Sequence, residues 1–319
     1  MSGDRIRGAF IGLAMGDAVG WPAARHRAAL HAPWSRRLHR ELDAFAEEHR
    51  VTTLPVPFAL NQPVAPLRVG PSDDAEWLAW TLLTIDRPRA EAFRELRDVR
   101  ARISVATALD NLAKGVEPPA SGHDNPHHFD DAAAVRAVAY GVLGRDPTED
   151  AQVTNAADGV LGALAMAAAI QEAVESGRAG RAVEAALAVL PADTAIGHNA
   201  RLALEAVRKA GDPFGAIPAL DAALLDHVYS YGVGAAQTVP VALALAEAAA
   251  GDLTRAVPAA ACLAPLADSA PALTGALAGA CGGYEAIPEG WTASARTLAG
   301  CCLPDLAGRD LIELLEGIA

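Results

Sequence analysis

The chain has 319 residues, 52% of them hydrophobic, with 26 Lys and Arg against 39 Asp and Glu for a formal net charge of −13. That is enough chain for a large core, and an acidic surface with a pI near 5.1 repels phosphate backbones, which argues against nucleic acid as a partner. Aromatic residues make up only 5% and alanine dominates the apolar set; alanine is the best helix former, so the composition predicts an all-α protein.

In chain order, the first element is RIRGAFIGLAMGDAVG, where Gly8, Gly12, Gly16 and Gly20 recur every four residues. On a helix this spacing makes one bare stripe. Each glycine costs about 1 kcal/mol relative to alanine, so four of them predict the close approach of another backbone. Residues 22–71 carry Pro22, Pro33, Pro55, Pro57, Pro63, Pro66 and Pro71, with a short helix expected near 36–50. Such irregular excursions often form lids or binding loops. Their basic cluster of Arg36, Arg37, His39 and Arg40 is followed at once by Glu41, Asp43, Glu47 and Glu48, which reads as a solvated helix.

From Ala75 onward helices are expected over 75–86, 88–115, 131–143, 155–176, 179–190, 194–210, 217–227, 236–250, 252–264, 269–282, 291–300 and 309–318. Breaks such as Gly144-Arg145-Asp146-Pro147 and Gly211-Asp212-Pro213 divide them. The stretch TGALAGACGG repeats the bare stripe at Gly275, Gly279 and Gly283 and marks a second central helix. With no charge-rich linker and no shift in composition, one domain is expected over 1–319, with a divergent excursion at 24–70.

Cys262, Cys281, Cys301 and Cys302 form no C-x-x-C pair and have no histidine at zinc-site spacing. Free thiols in a reducing cytoplasm are the expectation. No cleavable leader and no uninterrupted apolar run of about 20 residues is seen, so no membrane partner is expected.

Chemistry is concentrated at a few places. In PSDDAEWLAW, Ser72, Asp73 and Asp74 open a helix. One reading is capping, since Asp73 and Glu76 have capping-box spacing. The other is a hard-cation site, in which adjacent hydroxyl and carboxylate oxygens share Mg²⁺ or Ca²⁺. In LADSAPALTGALAGA, Asp268 and Ser269 open the second glycine-striped helix, with the same two readings. The run GHDNPHHFDD brings His123, His127 and His128 beside Asp124, Asp130 and Asp131; it is a polar loop or a source of acid–base groups, since histidine titrates near neutrality. Tyr229, Ser230, Tyr231, Gly232 and Gly234 form either a core turn or a loop that stacks on a base while its backbone approaches a phosphate. Trp21, Trp77 and Trp80 read as core packing.

The stretches RIRGAFIGLAMGDAVG, SDDAEWLAW, DDAAAVRAVAYGVL, VTNAADGVLGALAMAAA, YGVGAAQTVPVALA and DSAPALTGALAGACGGYEAIPEGW, in that order, resemble the ADP-ribosylglycohydrolase family over nearly the whole chain outside about 24–70. The resemblance implies an all-α orthogonal multi-helix bundle. It also implies a cleft with two Mg²⁺ ions, held by a Thr-Asp-Asp run and a late Asp-x-Asp-Thr run, that anchor a ribose while water cleaves a glycosidic bond. Ser72, Asp73 and Asp74 match the first run, with serine for threonine, and Asp268 and Ser269 match the end of the second. Leu266 then stands where its first Asp belongs; an alternative alignment makes Asp268 the first Asp and Ala270 the lost one, but shortens the approach to the helix by two residues, and in both one carboxylate is missing. Ala24 replaces a family glutamate, Asn155 a histidine near the ligand, and Asp131-Ala132 an Asn-Gly.

The resulting expectation is a hydrolase acting on a glycosidic bond of an ADP-ribosyl, nucleotide or nucleoside-derived small molecule. Ser72, Asp73, Asp74, Asp268 and Ser269 are its expected metal ligands, for one Mg²⁺ in preference to two, with a metal-free site as the remaining alternative. Asp73, Asp74, His127 and Asp131 are the catalytic candidates, and Asn155, His128, Tyr231, Gly232 and Gly234 are the substrate-binding ones. Two alternatives stand beside it: a nucleotide or ADP-ribose binder that has lost the reaction, and a metal-independent enzyme recruited to other chemistry.

Overall fold

The structure is a computed structural model that describes residues 2–20, 70–225 and 232–317, together with positions 44, 47, 48 and 50. The excursion at 24–70 and the 229–231 part of the tyrosine loop therefore lie almost wholly outside the described residues. The described helices are α1 (Ser2–Gly20), α2 (Asp73–Thr84), α3 (Arg89–Arg94), α4 (Ile103–Ala113), α5 (Ala120–His123), α6 (Ala132–Val142), α7 (Thr148–Thr154) and α8 (Asp158–Ser176). They continue with α9 (Ala179–Val189), α10 (Ala195–Ala210), α11 (Ile217–Leu224), α12 (Ala235–Ala248), α13 (Leu253–Ala261), α14 (Ala270–Gly282), α15 (Glu289–Ala295) and α16 (Leu311–Glu316). Among the described residues there is no strand, only two isolated bridges, Asp130 with Gly234 and Thr297 with Asp310. The fold is all-α.

The glycine stripes do what their spacing predicts. α1 lies against α14, and an added Cβ on Gly12 would come within 2.1 Å of the Gly275 carbonyl oxygen. The reciprocal Cβ on Gly275 would lie 2.0 Å from the Gly12 oxygen, and those on Gly8 and Gly279 meet each other's backbones in the same way. Only hydrogen fits between these helices. α6 is buried along its whole length and α14 along all but its last residue, as helices apolar on every side must be. α8 packs on α6 and α9, and α10 on α12, which builds the outer layer. Trp77, Trp80 and Phe93 form an edge-to-face and stacked cluster in the core, with ring centroids 4.8–6.2 Å apart.

Most expected helices match within a few residues. Two differ. The 148–154 helix was not expected, and Ala157, with φ of 47°, separates it from α8. More consequentially, the expected helix over 88–115 is two helices, with 95–102 between them. No glycine or proline marks that break. Tertiary contacts make it: the Arg100 N–H donates to the Cys302 carbonyl at 3.1 Å, and the Cys302 thiol donates back to the Arg100 carbonyl at 2.9 Å. Asp98 takes a left-handed φ of 53° to allow the turn. The break makes Arg102, with φ −61° and ψ 163°, the N-cap of α4 and points it inward.

Candidate functional site

Four helix starts converge. Ser72 precedes α2, Arg102 precedes α4, Asp131 precedes α6 and Ser269 precedes α14, and none of these four side chains caps its own helix. They turn toward each other instead. The Arg102 guanidinium donates from Nε to Asp73 Oδ2 at 3.2 Å, from Nη1 to Asp131 Oδ1 at 2.5 Å, and from Nη2 to both Asp74 Oδ1 at 2.5 Å and Ser269 Oγ at 2.8 Å. Asp268 lies close enough for its charge to act on both Arg102 and Asp131. The sequence-derived acids are thus gathered at one point, around a cation that sequence reasoning did not single out.

The electrostatics follow from burial. Arg102 is 11% exposed, Asp74 1% and Asp131 0%, while Asp73 keeps 17% of its side chain accessible. Burial disfavours the charged guanidinium, but Asp74, Asp73 and Asp131 outweigh it and hold Arg102 protonated well above its ordinary range. On the acids, burial dominates. It raises Asp74 well above the usual carboxylate range against the pull of Arg102, with repulsion from Asp73, Asp17 and Asp131 adding to it. It raises Asp131 to about 7, again against Arg102. One guanidinium shared by several carboxylates leaves a negative surplus, and a retained proton offsets it.

The capping question raised by Ser72-Asp73-Asp74 has an answer from another helix. Asp17 Oδ2, on α1, accepts from the backbone N–H of Ser72 at 2.7 Å and of Ala75 at 3.1 Å, and its Oδ1 accepts from the Ser72 hydroxyl at 2.6 Å. Asp17 is therefore the cap of α2. Burial first, then repulsion from Asp73, pushes it up to about 7, with the Ser72 and Ala75 bonds opposing. Glu76 is not half of a capping box either. Its buried carboxylate accepts three backbone N–H groups, from Cys301, Cys302 and Leu303, each at 2.8 Å.

The remaining candidates hold the scaffold. Asn155 is buried, and its amide donates to the His128 and Asp130 carbonyls and to Asp130 Oδ1 at 2.9–3.1 Å, fixing the loop that delivers Asp131. His128 Nδ1 lies 2.9 Å from the Asn125 carbonyl, and His127 stacks on Phe129. Gly232 takes a φ of 80°, which favours glycine, and Gly234 bridges to Asp130 beside the Asp131 N–H bond to Val233. Tyr231 lies outside the described residues. Arg102 and Asp17 are what sequence reasoning missed. Asp17 had a signal, as a lone acid within an otherwise apolar stripe; Arg102 was hidden among Arg94, Arg97 and Arg100 in an apparent helix face.

The donor set does not suit the Mg²⁺ implied by the resemblance. An ion coordinating Asp74 Oδ1 and Ser269 Oγ at the short distances Mg²⁺ demands would require the point that Arg102 Nη2 holds. The Ser72 hydroxyl directs its single proton at Asp17 Oδ1, 2.6 Å away, with Asp73 Oδ1 at 3.1 Å. Asp74 Oδ2 is buried without a hydrogen-bond partner, but it belongs to the carboxyl group already bound by the guanidinium.

No curated protein matches the sequence. Among solved structures, one described as an ADP-ribosylglycohydrolase-related protein complex is similar in fold, with a TM-score of 0.60 and 19% identity, covering 99% of this chain and 96% of that one. The sequence matches the ADP-ribosylglycohydrolase family model over residues 2–318. With that match spanning nearly the whole chain, the protein belongs to the ADP-ribosylglycohydrolase family.

Proposed function

We propose that the protein hydrolyses a glycosidic bond in a ribosyl-bearing, nucleotide-derived small molecule, with Asp73 as the carboxylate that meets the ligand and the attacking water. The observation that carries this reading is the convergence of four helix starts on Asp73, Asp74, Asp131, Ser269 and Arg102; of these, Asp73, Asp74 and Ser269 are the ones the resemblance aligns with the family's two metal-binding runs. Asp73 alone among the acids paired to Arg102 keeps appreciable access to solvent. Arg102 Nε and the Ser72 hydroxyl orient it. In the step itself, the carboxylate takes a proton from water as the water oxygen bonds to the anomeric carbon and the bond to the leaving group breaks; the leaving group takes a proton from solvent, and Asp73 then releases its own to solvent. Asp74 and Asp131 act as positioning residues, because both are buried against Arg102.

The test is turnover of ADP-ribosyl and nucleoside substrates by the wild type and by Asp73→Ala, with product separated chromatographically. Activity should fall at least about 100-fold with little change in melting temperature, the scale expected of one positioned acid–base group. Undiminished turnover in Asp73→Ala removes the assignment. The full burial of Asp74 and Asp131 favours a second reading, a binder without turnover. That reading predicts calorimetric binding of ADP-ribose, weakened in Asp73→Ala, and no product with the wild type.

A further inference from the structure

We infer that Arg102 is a built-in cation that takes over the charge-compensating place of a divalent metal, so that the site assembles and works without one. The inference deepens the reading of this cluster as the functional site but is measured without any substrate. Its basis is geometric. Arg102 reaches three carboxylates and a hydroxyl that come from three other helix starts: Asp73 and Asp74, Asp131, and Ser269. Hard-cation sites are assembled from the same kinds of oxygen, drawn from separate elements. The planar guanidinium supplies several directed donors from one permanently charged group, which suits it to a cluster of oxygens around a point.

The way the chain delivers this side chain supports the inference. α4 starts at Ile103 because residues 95–102 leave the helical path and pair with the Cys302 backbone. Continuing the helix through this stretch would have removed Arg102 from its N-cap conformation. Glu76 reinforces the arrangement by binding the N–H groups of 301–303, the segment on which Arg100 rests. Leu266 agrees with it as well. It stands in place of an expected acidic ligand and is fully buried, so no carboxylate is supplied there for a second positive charge.

A metal ion is retained where its ligands would otherwise repel, and Arg102 offsets part of that repulsion. Its deletion therefore has a distinctive consequence. Without the guanidinium, Asp73, Asp74 and Asp131 are left facing one another with Ser269, and a divalent cation becomes the natural replacement.

The experiment is a metal titration of EDTA-treated protein by calorimetry and thermal melting, with Mg²⁺, Mn²⁺ or Ca²⁺ as the probe. The wild type should show no saturable binding and no shift in melting temperature at millimolar metal. Arg102→Ala should melt roughly 5–10 °C lower, because its buried partners lose their counter-ion, and should recover part of that loss on adding metal. Adding Asp74→Asn to Arg102→Ala should abolish the recovery. Arg102→Lys, which keeps a cation, should stay insensitive to metal. Saturable metal binding by the wild type that Asp74→Asn abolishes overturns the inference, and this holds even if Arg102→Ala does not fold. Wild-type binding that Asp74→Asn leaves intact lies elsewhere, and the inference stands. None of these results depends on turnover, so a failed search for substrate leaves this conclusion untouched.

Discussion

At the scale of single residues, the chain places several charges in its interior and pairs them with one another. Asp150 is the clearest instance away from the site. Its carboxylate binds Arg136 Nε at 2.6 Å and Arg89 Nε at 2.9 Å, with exposures of 1%, 0% and 5% for the three side chains. Arg89 also lies over the Trp80 ring at 4.9 Å and Arg136 over Phe93 at 5.1 Å, so both guanidinium faces are used by the core. Asp150→Ala should cost about 3–5 kcal/mol, since it strands two buried cations. Urea unfolding measures this, and a loss below about 1 kcal/mol would show that the arginines find other partners.

The same scale separates the acids of the candidate site. Asp73 and Asp74 are adjacent in sequence, yet one keeps access to solvent and the other has almost none. Helical rotation explains the difference: successive residues point about 100° apart, so one of these neighbours faces outward and the other inward. This is why a pair of carboxylates legible in the sequence did not reveal which of them stays accessible.

At the scale of elements, the contact between α1 and α14 decides how closely the central helices approach. Gly12→Ala should destabilise by at least about 1–3 kcal/mol, the usual cost of overpacking, because its Cβ meets the Gly275 backbone oxygen at 2.1 Å, which cannot turn aside as a side chain can. Gly180→Ala is the matched control. It lies exposed on α9 with nothing within 4 Å of its added Cβ, and should be neutral or stabilising by up to about 1 kcal/mol. Equal melting temperatures for the two variants would refute the account of the stripe. Among the described residues, no helix is long and apolar enough to cross a membrane, so the bare stripes serve packing inside this fold.

Element boundaries also show where propensity was overruled. Residues 95–102 contain good helix formers and no breaker, and the sequence predicts one long helix there. The backbone gives up its helical bonds because Cys302 offers replacements and because Arg102 gains several partners by turning inward. A weak local preference, a few tenths of a kcal/mol per residue, yields to a buried ionic network.

At the scale of the whole molecule, buried acids make stability depend on pH. Asp17 and Asp131 are each raised to about 7, while an unfolded carboxyl titrates near 3.8. Between those values the unfolded chain has released the proton and the folded chain retains it, so folding is disfavoured progressively as pH rises. Stability from each group is complete below about pH 4 and lost by about pH 7, with a slope of about −1.4 kcal/mol per pH unit between. Asp17→Asn removes one such group and keeps an oxygen able to accept the Ser72 and Ala75 N–H bonds. The difference in melting temperature between wild type and Asp17→Asn should therefore change steadily from about pH 4 to about pH 7, with the wild type losing ground as pH rises. Parallel melting curves across that range would exclude a titrating Asp17.

The sequence by itself determined the class of fold, the two glycine-striped helices and the family, because these rest on local propensity and on spacing along one chain. A stripe every four residues defines one helix face wherever the helix ends up. It also nominated Ser72, Asp73, Asp74, Asp131 and Ser269, since acids and hydroxyls at helix starts are visible in one dimension. Only the tertiary structure decided what those groups face. Arg102 is 28 residues from Asp74 and 167 from Ser269, and no periodicity links positions so far apart. Nor does any local signal show that the cap of α2 comes from Asp17 on another helix, 55 residues before Ser72. Charge compensation in a buried site is set by distances in space, and those appear only when the helix starts are brought together.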